Sequence, residues 1–403
     1  MDCLPPLHLN KKDFMALGLR EHFMLRDDVV FLNHGSYGAC PRPIFENYQY
    51  WQLELEKQPV EFMNEHRRSL KLIRNVRKHL GDFVGSHPDN LVGVTNATTG
   101  LNIVARSLPL KEGDEVLTTD HEYGALEKTW TFIAQKTGAR YIHVEVPLPL
   151  ASATEFTEAI WSKVTSRTKV LFLSHLTSAT ALTFPIEELI QRAKEHGIWT
   201  VIDGAHAPGH IPLKLDRLDA DFYSGNCHKW MLTPKGSAFL HANPRVQHLI
   251  EPLVVSHGWN PDAEGKGALG NSRFIDSLEF QGTRDLAPLL AIPAAIDFLE
   301  KHQWAAVKQA CHQLVWQIAE EWSSITGLNH LVKPELRAGM QMVSLPLPEC
   351  DVVSIKNRLY DEFRIEIPVS RWKEHCLARI SIQGYNTNAD GQCLIEALKK
   401  LLY

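Results

Sequence analysis

Residues 199–210 read WTVIDGAHAPGH. Four apolar or β-branched residues, Trp199 to Ile202, suit a buried strand, and the run ends on Asp203. A carboxylate at the end of a buried strand is costly unless a positive partner meets it. Downstream, residues 220–242 read ADFYSGNCHKWMLTPKGSAFLHA and set Lys229 between a histidine and a tryptophan. Taken alone, Lys229 reads as an ordinary solvated lysine. Paired with a strand-end Asp, it reads as chemistry.

Outward from this stretch, strand-like and helix-like segments alternate between about residues 64 and 242, the pattern of a mainly parallel sheet wrapped by helices. NEHRRSLKLIRNVRKHLGDFVG is amphipathic, with Leu70, Ile73, Val76, Leu80 and Phe83 at helical spacing. NLVGVTNATTGLNIVARSL reads as strand, polar turn and helix. The apolar runs of this region end in Thr, Ser, Asp, His and Gly, at the carboxyl ends of strands, where open α/β sheets bind ligands. After about residue 290 long helices dominate, followed by short strands (MQMVSLPLP, IEIPV, LARISIQGYN) and a last helix. The expected organisation is a large α/β unit, residues 21–290, and a smaller α+β unit, residues 291–403, with an N-terminal arm, residues 1–20, packing on the latter.

The composition excludes several classes of function. With 403 residues, 44% of them hydrophobic, the chain can build more than one core and enclose a cleft. Its 42 basic and 47 acidic residues give a net charge of −5 without a long run of one sign, so neither nucleic acid nor an anionic membrane surface is an expected partner. Seven scattered cysteines without a CxxC encode no disulfide scaffold or zinc ribbon, which fits a cytoplasmic protein. The first residues, MDCLPPLHLNKKDF, lack the basic start and long apolar core of a signal peptide, and no stretch reaches membrane-spanning length.

A strand-end Asp followed by a loop lysine suits pyridoxal phosphate: the amine holds the aldehyde as a Schiff base, and the carboxylate keeps the ring nitrogen protonated. A phosphate cradle is the third requirement. TNATTGLN supplies Thr98 and Thr99 at a helix start, where backbone N–H groups and the helix dipole attract a dianion; an ordinary Thr N-cap explains that piece equally well.

DGAHAPG followed by DFYSGNCHKW resembles the signature of class V pyridoxal-phosphate enzymes of fold type I, the group that contains cysteine desulfurases and isopenicillin N epimerase. FLNHGSYGACP, TNATTGLN, DHEYGA, FQGTRD (280–285) and ARISIQGYNT extend the resemblance over most of the chain, and FLNHGSYG and DHEYGA are most similar to the epimerase-like branch. The resemblance implies that Lys229 bonds the cofactor, Asp203 pairs with its ring nitrogen and His206 sits near its phenolic oxygen. Tyr123 would stack on the ring. Thr98, Thr99, Asn226 and His228 would surround the phosphate, reached from across a homodimer by the partner subunit's Thr283. Arg379 would grip a substrate α-carboxylate, with Asn33, His34 and Gly35 lining the substrate mouth.

Departures narrow the reaction. Where desulfurases carry a reactive loop cysteine this chain has Glu366 and Ile367, and Cys376 lies only three residues before Arg379, so desulfurase chemistry is disfavoured. Asn226 stands where many relatives have serine, and Tyr123 where desulfurases have histidine. A phenol there can also act as an acid. Cys40 and Cys227 read as buried structural thiols, and Trp230 as packing.

The rival from another class is a metallohydrolase built on Asp203, His206, His210 and His228. Pro208 and Gly209 argue against the helix that would align the two middle histidines, and no glutamate base accompanies them, so no metal is expected. The expected activity is removal of an amino acid's Cα proton by Lys229 and its return on the other face, an isopenicillin N epimerase-like reaction. Class V transamination and C–S lysis begin in the same way and remain open.

Overall fold

A computed structural model of the protein describes residues 18–261, 265–337 and 339–403. Its strands, in chain order, are β1 (Val30–Phe31), β2 (Leu91–Val94), β3 (Glu115–Thr119), β4 (Arg140–Val144), β5 (Thr168–Ser174), β6 (Trp199–Asp203), β7 (Phe222–Asn226), β8 (Ala238–Ala242), β9 (Met342–Leu347), β10 (Ile365–Glu366), β11 (Val369–Trp372) and β12 (His375–Ser381). A seven-stranded sheet has the order β2-β8-β7-β6-β5-β3-β4. β3 to β7 pair in parallel and β8 pairs antiparallel with both β2 and β7, as a mainly parallel sheet requires.

The central strands are apolar on both faces because helices cover both. Alternation divides them cleanly: Val170, Phe172, Val201 and Phe222 join one core cluster, while Leu171, Leu173, Ile202 and Tyr223 join the other. That second cluster runs on without a break into the C-terminal part, through Leu345, Leu377 and Ile380. The amphipathic segment forms the helix Leu70–Val84, with Ile73, Val76 and Leu80 buried; it stops at Gly85, whose φ of 67° is the left-handed conformation glycine adopts at little cost.

The C-terminal part carries an antiparallel sheet, β11-β12-β9. The start of the chain is joined to it: β1 pairs in parallel with β10, and Asn33 bridges Ser381. Residues 1–17 of the expected arm lie outside the described residues. Leu19 is buried, and a Cβ added to Gly384 would lie 2.8 Å from its Cδ1, so this point of the chain does pack on the C-terminal part. Among the described residues no helix is long and apolar enough to cross a membrane.

Candidate active site

The carboxyl ends of β5, β6 and β7 open into a cavity of about 670 Å³. Asp203, His206, Asn226, His228, Lys229, Thr98, Thr99, Tyr123, Gly35 and Arg379 all line it. Residues widely spaced in sequence thus converge, as strand-end loops allow.

Lys229 is the centre of this set. Burial, reinforced by the charge of Arg379, pulls its ammonium from 10.5 down to about 7, while Asp203 acts in the opposite direction. Its Nζ lies 3.0 Å from His206 Nε2. On the other side of that ring the Trp230 indole N–H, which can only donate, makes a long 3.5 Å contact with Nδ1. The arrangement leaves the proton of a neutral His206 on Nε2, facing the lone pair of a neutral amine. Burial first, then the Lys229 charge, keeps His206 well below its ordinary value. Asp203 is buried and accepts the Ala205 N–H at 2.8 Å; burial raises its carboxyl to about 6. Each group is costly to charge alone and becomes less so beside an opposite charge.

The helix Ala97–Ser107 begins beside this pair. Its cap is Asn96, whose Oδ1 takes the Thr99 N–H at 2.8 Å, so the threonines are first-turn residues and not the cap. Asn226 Oδ1 takes the Ala97 N–H at 2.8 Å and Gly100 N–H bonds the Asn96 carbonyl. The Gly100 bond is the first regular one of the helix, and in the turn before it the N–H groups of Ala97 and Thr99 are taken while that of Thr98 has no acceptor among the described residues. Asn226 therefore braces the cradle through its carbonyl and has only its amide N–H groups left for a ligand. His228 donates from Nδ1 to the Ser237 carbonyl at 3.2 Å, leaving Nε2 for a ligand; burial lowers the ring to about 4, and a dianion beside it would raise it again. An open N–H, amide donors, an imidazole that a dianion would help to protonate and a helix N-terminus fit a phosphate, and the Asp203–Lys229 pair fits a pyridoxal ring.

Arg379 approaches from β12. Ala378 and Ile380 are fully buried, and alternation turns Arg379 towards the cavity. Nη1 donates to Ser178 O at 2.8 Å and Nη2 to Ser36 Oγ at 2.9 Å, while Nε is buried without an acceptor. No carboxylate of the described residues pairs with it; Glu362, one conceivable partner, is taken by Arg358. Burial lowers the guanidinium only to about 10, so it stays charged. A charged, half-satisfied guanidinium fits a ligand carboxylate.

Two expected residues of the substrate mouth are elsewhere. His34 is fully buried, with Nδ1 3.0 Å from Tyr385 O–H and Nε2 3.0 Å from Lys229 O, so it holds the main chain of the lysine. Asn33 donates to Glu366 and accepts from Ser36, fixing the serine that meets Arg379. Both are drawn inward because β1 and the bridge to Ser381 tie this segment to the C-terminal part. Gly35 does line the cavity, and a Cβ there would lie 2.8 Å from Met342 Sδ and 2.9 Å from Ser381 Oγ. Tyr123 stands on the rim, about half exposed. Thr283 is exposed and does not line this chain's cavity.

Ser36 and Ser178 were not singled out in the sequence, although Ser36 lies inside FLNHGSYG. Glu122 of DHEYGA was also passed over. Its carboxyl accepts from Thr119 Oγ1 and Ser174 Oγ at 2.7 and 2.5 Å, and burial, despite those bonds, raises it to about 8. The metal alternative fares poorly at His210, whose two ring nitrogens are engaged by His206 O and Gln341 N. Burial pushes the Cys40 thiol up to about 12 and the Cys227 thiol higher still, which suits structural roles. Trp230 is fully buried and stacks on His210 at 3.9 Å between ring centroids.

The model of the family "Aminotransferase class-V" matches residues 40–394. Isopenicillin N epimerase of Amycolatopsis lactamdurans is 35% identical over 391 residues, spanning 95% of this chain and 97% of that protein. The isopenicillin N epimerase of Streptomyces clavuligerus is 34% identical over 390 residues, with coverage of 95% and 97%. Among solved structures, a mutant of C-DES with glycine covalently linked to its PLP cofactor superposes with a TM-score of 0.78 over 94% of this chain and 98% of that one, at 21% identity. At that identity the likeness is one of fold.

Proposed function

The chain belongs to the class V aminotransferase family, and on that premise we propose that it is a pyridoxal-phosphate-dependent enzyme that epimerises an amino acid at Cα, as the isopenicillin N epimerases of similar sequence are named for doing. The observation that carries the reading is the convergence, in one cavity, of a buried lysine with a depressed pKa, a buried aspartate and an arginine without a carboxylate partner among the described residues.

Lys229 would hold the aldehyde carbon of pyridoxal phosphate, Asp203 its ring nitrogen and His206 its phenolic side, with Tyr123 over the ring. Thr98, Thr99, Asn226 and His228 would hold its phosphate, joined in a homodimer by the partner subunit's Thr283. Bound there, the cofactor supplies a cationic conjugated ring able to take up the electron pair left on Cα when its proton departs.

Arg379 positions the amino acid by its α-carboxylate, and Ser36 and Ser178 keep the guanidinium plane from turning. Lys229, released when the substrate's amino group takes its place and partly neutral at pH 7, takes the Cα proton on one face. The Tyr123 O–H, on the cavity rim, returns one on the other. The same proposal divides the chain into a cofactor-binding part, residues 21–290, and a smaller part, residues 291–403, and sets the enzyme in the cytoplasm.

The test is incubation of the holoenzyme with a panel of L- and D-amino acids in deuterated water, following Cα exchange, chirality and keto-acid release together. Deuterium at Cα with inversion and no keto acid is the expected result. Stoichiometric keto acid with retained chirality would replace epimerisation by transamination, and loss of a β-substituent would replace it by lysis.

A further inference from the structure

The end of β5 faces two ways. Ser174 and Leu176 line the catalytic cavity, and His175 between them points to the opposite face of the sheet, the face of Leu171 and Leu173. There it reaches a second cleft of about 660 Å³, walled by the helix Glu187–Glu195 and by residues 212–219.

The chemistry of this cleft is that of a donor set. His175 is buried, and its Nδ1 lies 2.9 Å from the Tyr223 O–H. Tyr223 is fully buried and burial holds its phenol well above the ordinary value, so it keeps its proton. A buried hydroxyl proton needs an acceptor, and among the described residues Tyr223 has none but His175 Nδ1. Burial also lowers the imidazole to about 4, so the ring is neutral and its one proton sits on Nε2. Among the described residues nothing accepts that N–H.

Around it stand three cations. Lys194 is neutralised by Asp219, which also holds Arg245. Lys214 and Arg217 form no ion pair among the described residues, and Glu187 is the one carboxylate of the lining left without a cation. Lys214 is seated firmly: a Cβ on Gly85 would come within 2.8 Å of both its Cα and its Cδ. An imidazole N–H and two unpaired cations, set against the single unpaired carboxylate of Glu187, leave the hollow with an excess of positive charge and donors that selects an acceptor-only ligand.

We propose that this cleft is a second binding site, separated from the catalytic cavity by the sheet, for a small anion bearing a carboxylate or a phosphate. The site shares a wall with the cofactor's aspartate. Tyr223 packs under Gly204, where a Cβ would lie 2.0 Å from the tyrosine ring, and the backbone N–H of His175 donates to the backbone carbonyl of Asp203 at 2.8 Å.

The proposal is tested by calorimetric titration of the pyridoxal-phosphate-loaded protein with inorganic phosphate and, separately, with succinate. Saturable binding of one anion per chain is expected, and the tighter of the two assigns phosphate or carboxylate as the group recognised. Lys214→Ala and Arg217→Ala, both of exposed side chains, should each weaken it by about tenfold or more, while Arg379→Lys leaves it unchanged. Absence of saturable binding with either anion overturns the proposal. So does binding that survives both exposed-residue substitutions, or that is lost only in Arg379→Lys, since the anion would then sit in the catalytic cavity.

Discussion

On one side of the catalytic cavity stand Asp203, His206, Asn226, His228 and Lys229, which come from a single short stretch of chain and two adjacent strands. On the other side, Arg379 meets Ser178 across 201 residues of sequence and Ser36 across 343. The sheet side buries its charges together, so that each perturbs the other's protonation. The β12 side buries one cation alone, braced by neutral oxygens and open to a ligand. In the proposed function the sheet side holds the cofactor and moves the proton, and the β12 side recognises the substrate's charge without reacting with it.

If that division is right, substitutions on the two sides fail in different ways. The largest effect belongs to Lys229→Ala, which should reduce turnover by at least about 10³-fold and abolish fixation of the cofactor to a peptide by borohydride. A protein that still fixes cofactor after this substitution would move the centre of the site elsewhere. Arg379→Lys keeps the charge and loses the planar fork. It should weaken amino-acid binding by roughly 10- to 100-fold, about 1.5–3 kcal/mol, with the cofactor spectrum and the melting temperature little changed. Spectral titration with an amino acid and with its decarboxylated amine measures this. Equal weakening of both ligands would break the comparison, because Arg379 would then be sensed without its carboxylate.

The smallest expected effect, taken per pH unit, is one of pH. Only the neutral form of Lys229 attacks an aldehyde, and its pKa is held near 7 by burial and by Arg379. Cofactor capture by the apoprotein should therefore rise about tenfold per pH unit below 7 and level off above it. An ordinary lysine would go on gaining rate towards pH 10. Stopped-flow absorbance across pH 5–9 distinguishes the two, and a rate still climbing steeply at pH 9 would show that the amine is not depressed.

How much of this was legible in the chain varies from residue to residue. Asp203 stands out because a carboxylate ending an apolar strand is conspicuous within a few residues of its own surroundings, and Lys229, ordinary by itself, stands out only as the loop lysine that follows it. The same local logic placed Thr98 and Thr99 at a helix start, whereas Arg379 was reached through the family resemblance and its aim at the cavity rests on the burial of Ala378 and Ile380. It missed the true cap, Asn96, and the bracing role of Asn226, because both depend on which N–H group each carbonyl reaches in space.

His34 shows the limit most clearly. Its motif placed it at the substrate mouth, yet the pairing of β1 with β10 draws its ring inward to bond Tyr385 and the Lys229 carbonyl. The sequence alone determined the mainly parallel sheet, the polar turn that starts a helix after β2 and the strand-end carboxylate of Asp203, since period, capping and burial cost act over neighbouring residues. The tertiary structure alone decided what braces Arg379, where His34 points, and that His175 opens onto a cleft of its own. Those outcomes rest on contacts between segments tens to hundreds of residues apart, and such contacts leave no period in the chain to read.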